Sequence, residues 1–129
     1  MRKIYFTLLL LFPLVSFASD PWSTSDKIRG GLFLGLSYVD YKQTIYIAEH
    51  PEEFSERNSF LGNHPSKNRV TNHFIIATGI NLIFMDYLPS SYDIGGLNIN
   101  PRATWQYLSI ANELFHVVHN KKFGIDISF

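Results

Sequence analysis

Three apolar segments of this chain each carry one narrow line of polar residues at helical spacing. Positions three, four and seven apart share a face of a helix. Arg102, Gln106, Ser109, Glu113 and His116 all fall on one such line, while Tyr107, Leu108, Ile110, Leu114, Phe115, Val117 and Val118 fill the rest of the circumference. Asn72, Gly79 and Asp86 align likewise in a second segment, and Gly30, Ser37, Asp40 and Thr44 in a first. A helix that is apolar around most of its girth must hide that surface, in a core or in lipid. The pattern therefore predicts an all-α, three-helix bundle.

Local signals bound the helices at about 24–49, 65–88 and 101–119. Ser23 or Ser25 can cap the first, with Asp26 in its first turn and Pro51 after its end. Pro51 also suits the first position of a short helical turn. Pro65 suits the start of the second helix and Pro89 stops it; Asn100 caps a third that opens on Pro101. "PSSYDIGGLNIN" reads as a turn-rich loop. The tail alternates Phe123, Ile125, Ile127 and Phe129, an extended period of two. Such a tail also ends many outer-membrane barrels, but the body of the chain has the helical period and barely enough residues for eight spanning strands with their turns.

Two settings bury such helices. In lipid the polar lines face one another; in water they face out and the apolar majority forms the core. The lines are narrow for a small bundle in water, so the transmembrane arrangement is preferred here. Gly31 and Gly35 in "GLFLG" add the small-xxx-small spacing that lets helices approach closely in lipid. Against it stand Asp40, Lys42 and Gln43, and no segment is a clean apolar run of about 20 residues. With the N-terminus outside, loop 49–69 and the tail hold Arg57, Lys67, Arg69, Lys121 and Lys122 inside, against Lys27, Arg29 and Arg102 outside.

Residues 1–18 have the layout of a cleaved signal peptide: basic "MRK", an apolar stretch, and Ser16-Phe17-Ala18 before Ser19. The reading is thus of an exported protein, residues 19–129 forming one helical domain, in the inner membrane by preference and the periplasm otherwise. Removing Arg2 and Lys3 leaves nine basic residues against eleven acidic, which offers nucleic acid no phosphate-binding surface. Cysteine is absent, so disulfides and thiolate chemistry are excluded. The expected partners are membrane lipid and a protein, which a second copy of the chain could supply; no cofactor is implied.

Chemistry is sparse. Glu113 and His116 form one E-x-x-H pair, but di-iron bundles need two such pairs and two further Glu. Asp40, Glu56 and His64 are the remaining candidates for acid–base or metal-assisted catalysis. No phosphate-binding loop, nucleophile elbow or zinc helix occurs. The loop "ERNSFLGNHPSKNR", 56–69, has the Gly, Asn and Pro that a connection requires.

Asp40-x-x-x-Thr44, then Glu56-x-Asn58, Leu61-Gly62 and His64-Pro65 resemble small exported or multi-spanning bacterial and phage proteins of unknown function, over roughly residues 21–125. Here Ser59 stands where those proteins have Pro, and "DIGGLNIN" resembles an insertion. The resemblance implies a small helical envelope protein with a binding or accessory role. A metal- or acid-assisted membrane enzyme and a soluble periplasmic binding domain are the alternatives.

Overall fold

A computed structural model describes residues 20–128; the expected signal segment and Phe129 lie outside them. The chain is mostly helical. Helix α1 runs Thr24–Glu49, α2 Lys67–Tyr87 and α3 Pro101–Lys122, with strands β1 (Tyr92–Ile94) and β2 (Leu97–Ile99) between the last two. Ser23 caps α1 in a reciprocal box: its hydroxyl accepts from the Asp26 amide and the Asp26 carboxylate accepts from the Ser23 amide. Asn100 caps α3, with Pro101 first in the helix, and α3 continues through His119, Lys121 and Lys122, cations that suit a helix C-terminus.

Several boundaries differ from expectation. Helix α2 starts at Lys67, capped by Ser66, so Pro65 precedes the helix and does not open it. Residues 51–53 form a turn without a helix. The loop after Pro89 is a β-hairpin pairing Tyr92 with Ile99 and Ile94 with Leu97. Gly95 (φ 61°) and Gly96 (φ 89°) make its two-residue turn, where the twist of the strands demands left-handed backbone. The tail is extended but joins no sheet. Ile125 is buried, the Ser128 amide donates to the Lys42 carbonyl at 3.3 Å, and its hydroxyl donates to Glu49 Oε2 at 2.7 Å.

Helix α1 packs mainly on α3, less on α2, and α2 touches α3 only slightly. Among the described residues the buried set is as polar as it is apolar. Phe33, Ile45, Ile47, Leu61, Val70, Met85 and Ile125 are matched by Asp26, Ser37, Gln43, Thr44, Arg102, Gln106 and Ser109. Large apolar side chains instead populate the exterior, including Ile75, Ile76, Ile80 and Ile83 on α2 and Leu108, Phe115 and Val118 on α3.

The polar interior is held by hydrogen bonds. Arg102 is wholly buried at the junction of the N-terminal segment, the end of α2 and the start of α3. Its guanidinium donates to the carbonyls of Leu88 (2.9 Å), Met85 (3.2 Å) and Asp20 (2.9 Å), and lies 3.5 Å from Asp26. Arg29 bridges the Asp26 carboxylate (2.6 Å) and Gln106 Oε1 (2.7 Å), while Gln106 Nε2 donates to the Asp26 carbonyl (3.1 Å). One turn on, Asn81 Oδ1 accepts from both Trp105 Nε1 (2.9 Å) and Ser109 Oγ (3.1 Å). A buried polar group without a partner costs about 1–3 kcal/mol, so these networks hold the helices in one register.

No helix among the described residues is long and apolar enough to cross a membrane, which corrects the transmembrane form of the bundle. Charges are spaced too evenly for a 20-residue apolar run. Asp26, Lys27, Arg29, Asp40 and Lys42 divide α1, and Arg102, Glu113 and Lys121 divide α3. Gly31 and Gly35 are corrected as packing positions too, since a Cβ at either would meet open space. The close approach is at Gly30, where a Cβ would fall 2.6 Å from Trp22 Cζ3.

Candidate functional site

Beside the second halves of α1 and α3, the connection 50–66 and helix α2 help to enclose a cavity of about 700 Å³. The connection is self-supporting. Glu56 Oε1 accepts from the amides of Arg57 (2.9 Å) and Asn58 (2.8 Å), and the Glu56 amide donates to the Asn63 carbonyl at 2.8 Å. The Asn58 carbonyl accepts from Leu61 and Gly62, and its side-chain oxygen accepts from Phe60. Gly62 (φ 79°) turns the chain back, so that Leu61 enters the apolar cluster of Ile45 and Val70. Those bonds make "ERNSFLGN" a built connector whose Glu56 and Asn58 also line the cavity.

The polar lining includes Asp40 and Thr44 from α1, His73 and Asn81 from α2, Glu113, His116, His119 and Asn120 from α3, and Arg57 from the connection. Phe33, Phe54, Phe60, Phe74, Phe115 and Phe123 make up much of the apolar lining. Asn120 Nδ2 donates to Asp40 Oδ1 (3.1 Å) and Gln43 Oε1 (3.2 Å), and Gln43 Nε2 reaches the Val117 carbonyl at 3.3 Å. Thr44 turns its hydroxyl back onto the Asp40 carbonyl at 2.9 Å. Arg57 donates to His119 Nε2 at 2.8 Å and lies over the Phe123 ring.

Burial pushes the Asp40 carboxyl up to about 7, Glu56 adds repulsion, and the Asn120 hydrogen bond only partly opposes them. Burial likewise pushes Glu113 up to about 7, reinforced by Asp40 and opposed by His116, Asn112 and Ser37. The opposition from Ser37 is weak, because Ser37 Oγ and Glu113 Oε2 are both buried without a well-formed hydrogen bond. The ion pairs among the described residues join Asp26 to Arg29 and Arg102, Glu49 to Lys67, and Asp126 to Lys121. Asp40, Glu56 and Glu113 take part in none of them.

The residues singled out from sequence distribute as follows. Ser37, Thr44 and Gln106 are buried in the interior, and Asp40 and Glu113 meet at the cavity. His116 lines the cavity from an exposed position. Asn72 and Asp86 lie on the outside, Asp86 accepting from Trp22 Nε1 at 2.9 Å. They fall outside because α2 buries only Val70 and Met85 and presents a single edge to the bundle. His64 is exposed and away from the cavity, so it is not brought to Asp40 or Glu56. Asp40 lies beside Glu113 and Asn120, toward the end of α3. No group of three or more His, Asp or Glu among the described residues is arranged to hold a metal ion. Sequence reasoning missed Asn120. Asn120 stands seven residues after Glu113, so extending the same helical line one turn would have found it. Comparison with protein-family models, curated proteins and solved structures finds no match to this chain.

Proposed function

We propose that this chain is a small exported binding protein of the cell envelope, in which the bundle and the 50–66 connection enclose a site for a small polar ligand. One observation carries the reading: Asp40, Glu56 and Glu113 share a half-enclosed cavity whose arginine, Arg57, is turned to His119 and Phe123. Uncompensated buried carboxyls lower the stability of the free protein, and such a cost is characteristic of sites kept for function. The layout of residues 1–18 supports export. The apolar exterior of α2 and α3 supports a place against the outer surface of the inner membrane, lying on the bilayer and not across it.

Ligand-observed NMR with a set of small polar solutes (amines, amino acids, polyols and short carboxylates) tests the site. Binding should occur in one chemical class and disappear in Thr78→Trp, which fills the cavity from α2 while circular dichroism checks that the helices persist. If no class binds, the reading fails. Carbonate washing should release the protein from membranes, and retention would refute its placement on the surface.

A second reading rests on the same pair. Carboxyls held near neutrality are what general acid–base catalysis at pH 7 requires. Turnover of a bound solute that Asp40→Asn abolishes would convert the binding protein into an enzyme.

A further inference from the structure

Resting on that binding site, we propose that its ligand is an organic primary ammonium compound, the ammonium held by Asp40 and Glu113 and the body lying along the phenylalanine wall.

Around Asp40 and Glu113 the acceptors outnumber the donors aimed at them. Asn120 Nδ2 has two hydrogens, and both are committed, to Asp40 and to Gln43. Arg57, the arginine of the lining, is engaged with His119 and Phe123. Two further buried polar atoms beside Asp40 have no partner. Glu113 Oε2 is buried without a partner, as is Ser37 Oγ, whose residue is only 5% exposed and whose hydroxyl sits against the Glu113 carboxyl. An –NH₃⁺ group brings three donors and one positive charge, which answers both deficits at once.

A bare metal ion answers the charge alone, and the described side chains form no cluster of three ligands for one. An anion would meet repulsion from Asp40, Glu56 and Glu113. The cavity of about 700 Å³ is far larger than an ammonium group, so the ligand has a body. Phe74 and Phe115 offer that body apolar contact, and an aromatic face also attracts a cation.

The carboxyls give this recognition a pH signature. While they hold protons, a cation must displace them, so binding releases protons and tightens as pH rises, by up to about tenfold per pH unit for each proton released. His73, His116, His119 and Arg57 face the same cavity, and any positive charge they carry opposes the ligand.

The test pairs ammonium probes with neutral counterparts: butylamine and 1,4-diaminobutane against 1-butanol and 1,4-butanediol, titrated by NMR and calorimetry at pH 6, 7 and 8. The ammonium probes should bind and the alcohols should not, with Kd falling at least about tenfold from pH 6 to 8 through linked proton release. Asp40→Asn and Glu113→Gln should each weaken binding at least about tenfold while keeping a cooperative melting transition. Alcohols binding as well as amines, or affinity indifferent to pH, would overturn the ammonium assignment and leave the binding site standing. If the amines fail while another solute class binds, the assignment is equally wrong; if every class fails, the site itself is refuted.

Discussion

Replacing Asp40 by Asn should make this protein more stable, and only where the carboxyl would be charged. An acid whose folded value is raised holds its proton to higher pH in the folded state than in the unfolded chain. The stability contributed by protonated Asp40 is therefore complete below about pH 4 and is progressively lost as pH rises from 3.8 to about 7. That span is about 3 pH units, and at about 1.4 kcal/mol per unit the ceiling is about 4 kcal/mol above pH 7. Part of the shift is repulsion by Glu56, and Asp40 in turn repels Glu113, so the carboxyls titrate as a coupled set and the single substitution recovers less. A gain of roughly 2–4 kcal/mol at pH 8, shrinking to less than about 1 kcal/mol at pH 4, is expected. Asn can still accept from Asn120, so packing and hydrogen bonding are preserved. Urea denaturation at several pH values, followed by fluorescence, reads this directly, because Trp105 lies edge-on to Phe84 in the bundle. A difference that is constant with pH, or a variant less stable than wild type at pH 8, would show that Asp40 bears no uncompensated charge.

Arg102→Met should cost about 3–5 kcal/mol in the same assay, since it strands the carbonyls of Asp20, Met85 and Leu88 and removes a buried charge from Asp26. Gly30→Ala should lose about 1–3 kcal/mol by driving a methyl into Trp22, whereas Gly35→Ala meets open space and should gain up to about 1 kcal/mol of helix propensity. Mass spectrometry of the exported protein should find Ser19 at its N-terminus; an intact Met1 would refute cleavage after Ala18.

Features governed by neighbouring residues were the easiest to read in advance. Ser23 with Asp26, and Asn100 with Pro101, are self-contained capping signals, and both stand where local chemistry puts them. The line through Gln106, Ser109 and Glu113 needed only the period of the helix. What depended on tertiary placement was less accessible. Small-xxx-small spacing cannot say which face meets a neighbour: it points to Gly31 and Gly35, whereas the close contact is at Gly30, with Trp22 before the helix begins. The third helix is bounded at about 119 by local signals, but α3 runs on to Lys122 and brings Asn120 alongside Asp40. The hairpin was legible and overlooked: two glycines between "YDI" and "LNI" are a strong signal for a two-residue turn.

The pairing of α1 with α3 also sets when the bundle can close. Arg102 is 82 residues from its Asp20 contact, and Gln106 is 80 residues from the Asp26 carbonyl it satisfies. Contacts of such sequence separation bear a loop-closure entropy before they return any stabilisation, and they slow folding relative to bundles built from adjacent hairpins. Helices α1 and α2 alone would leave Asp26 and Arg29 without Gln106 and Arg102, so a chain truncated before α3 lacks the network that fixes register. Such a chain commits to its final form only when its last helix is complete, and until then it stays open enough to be threaded.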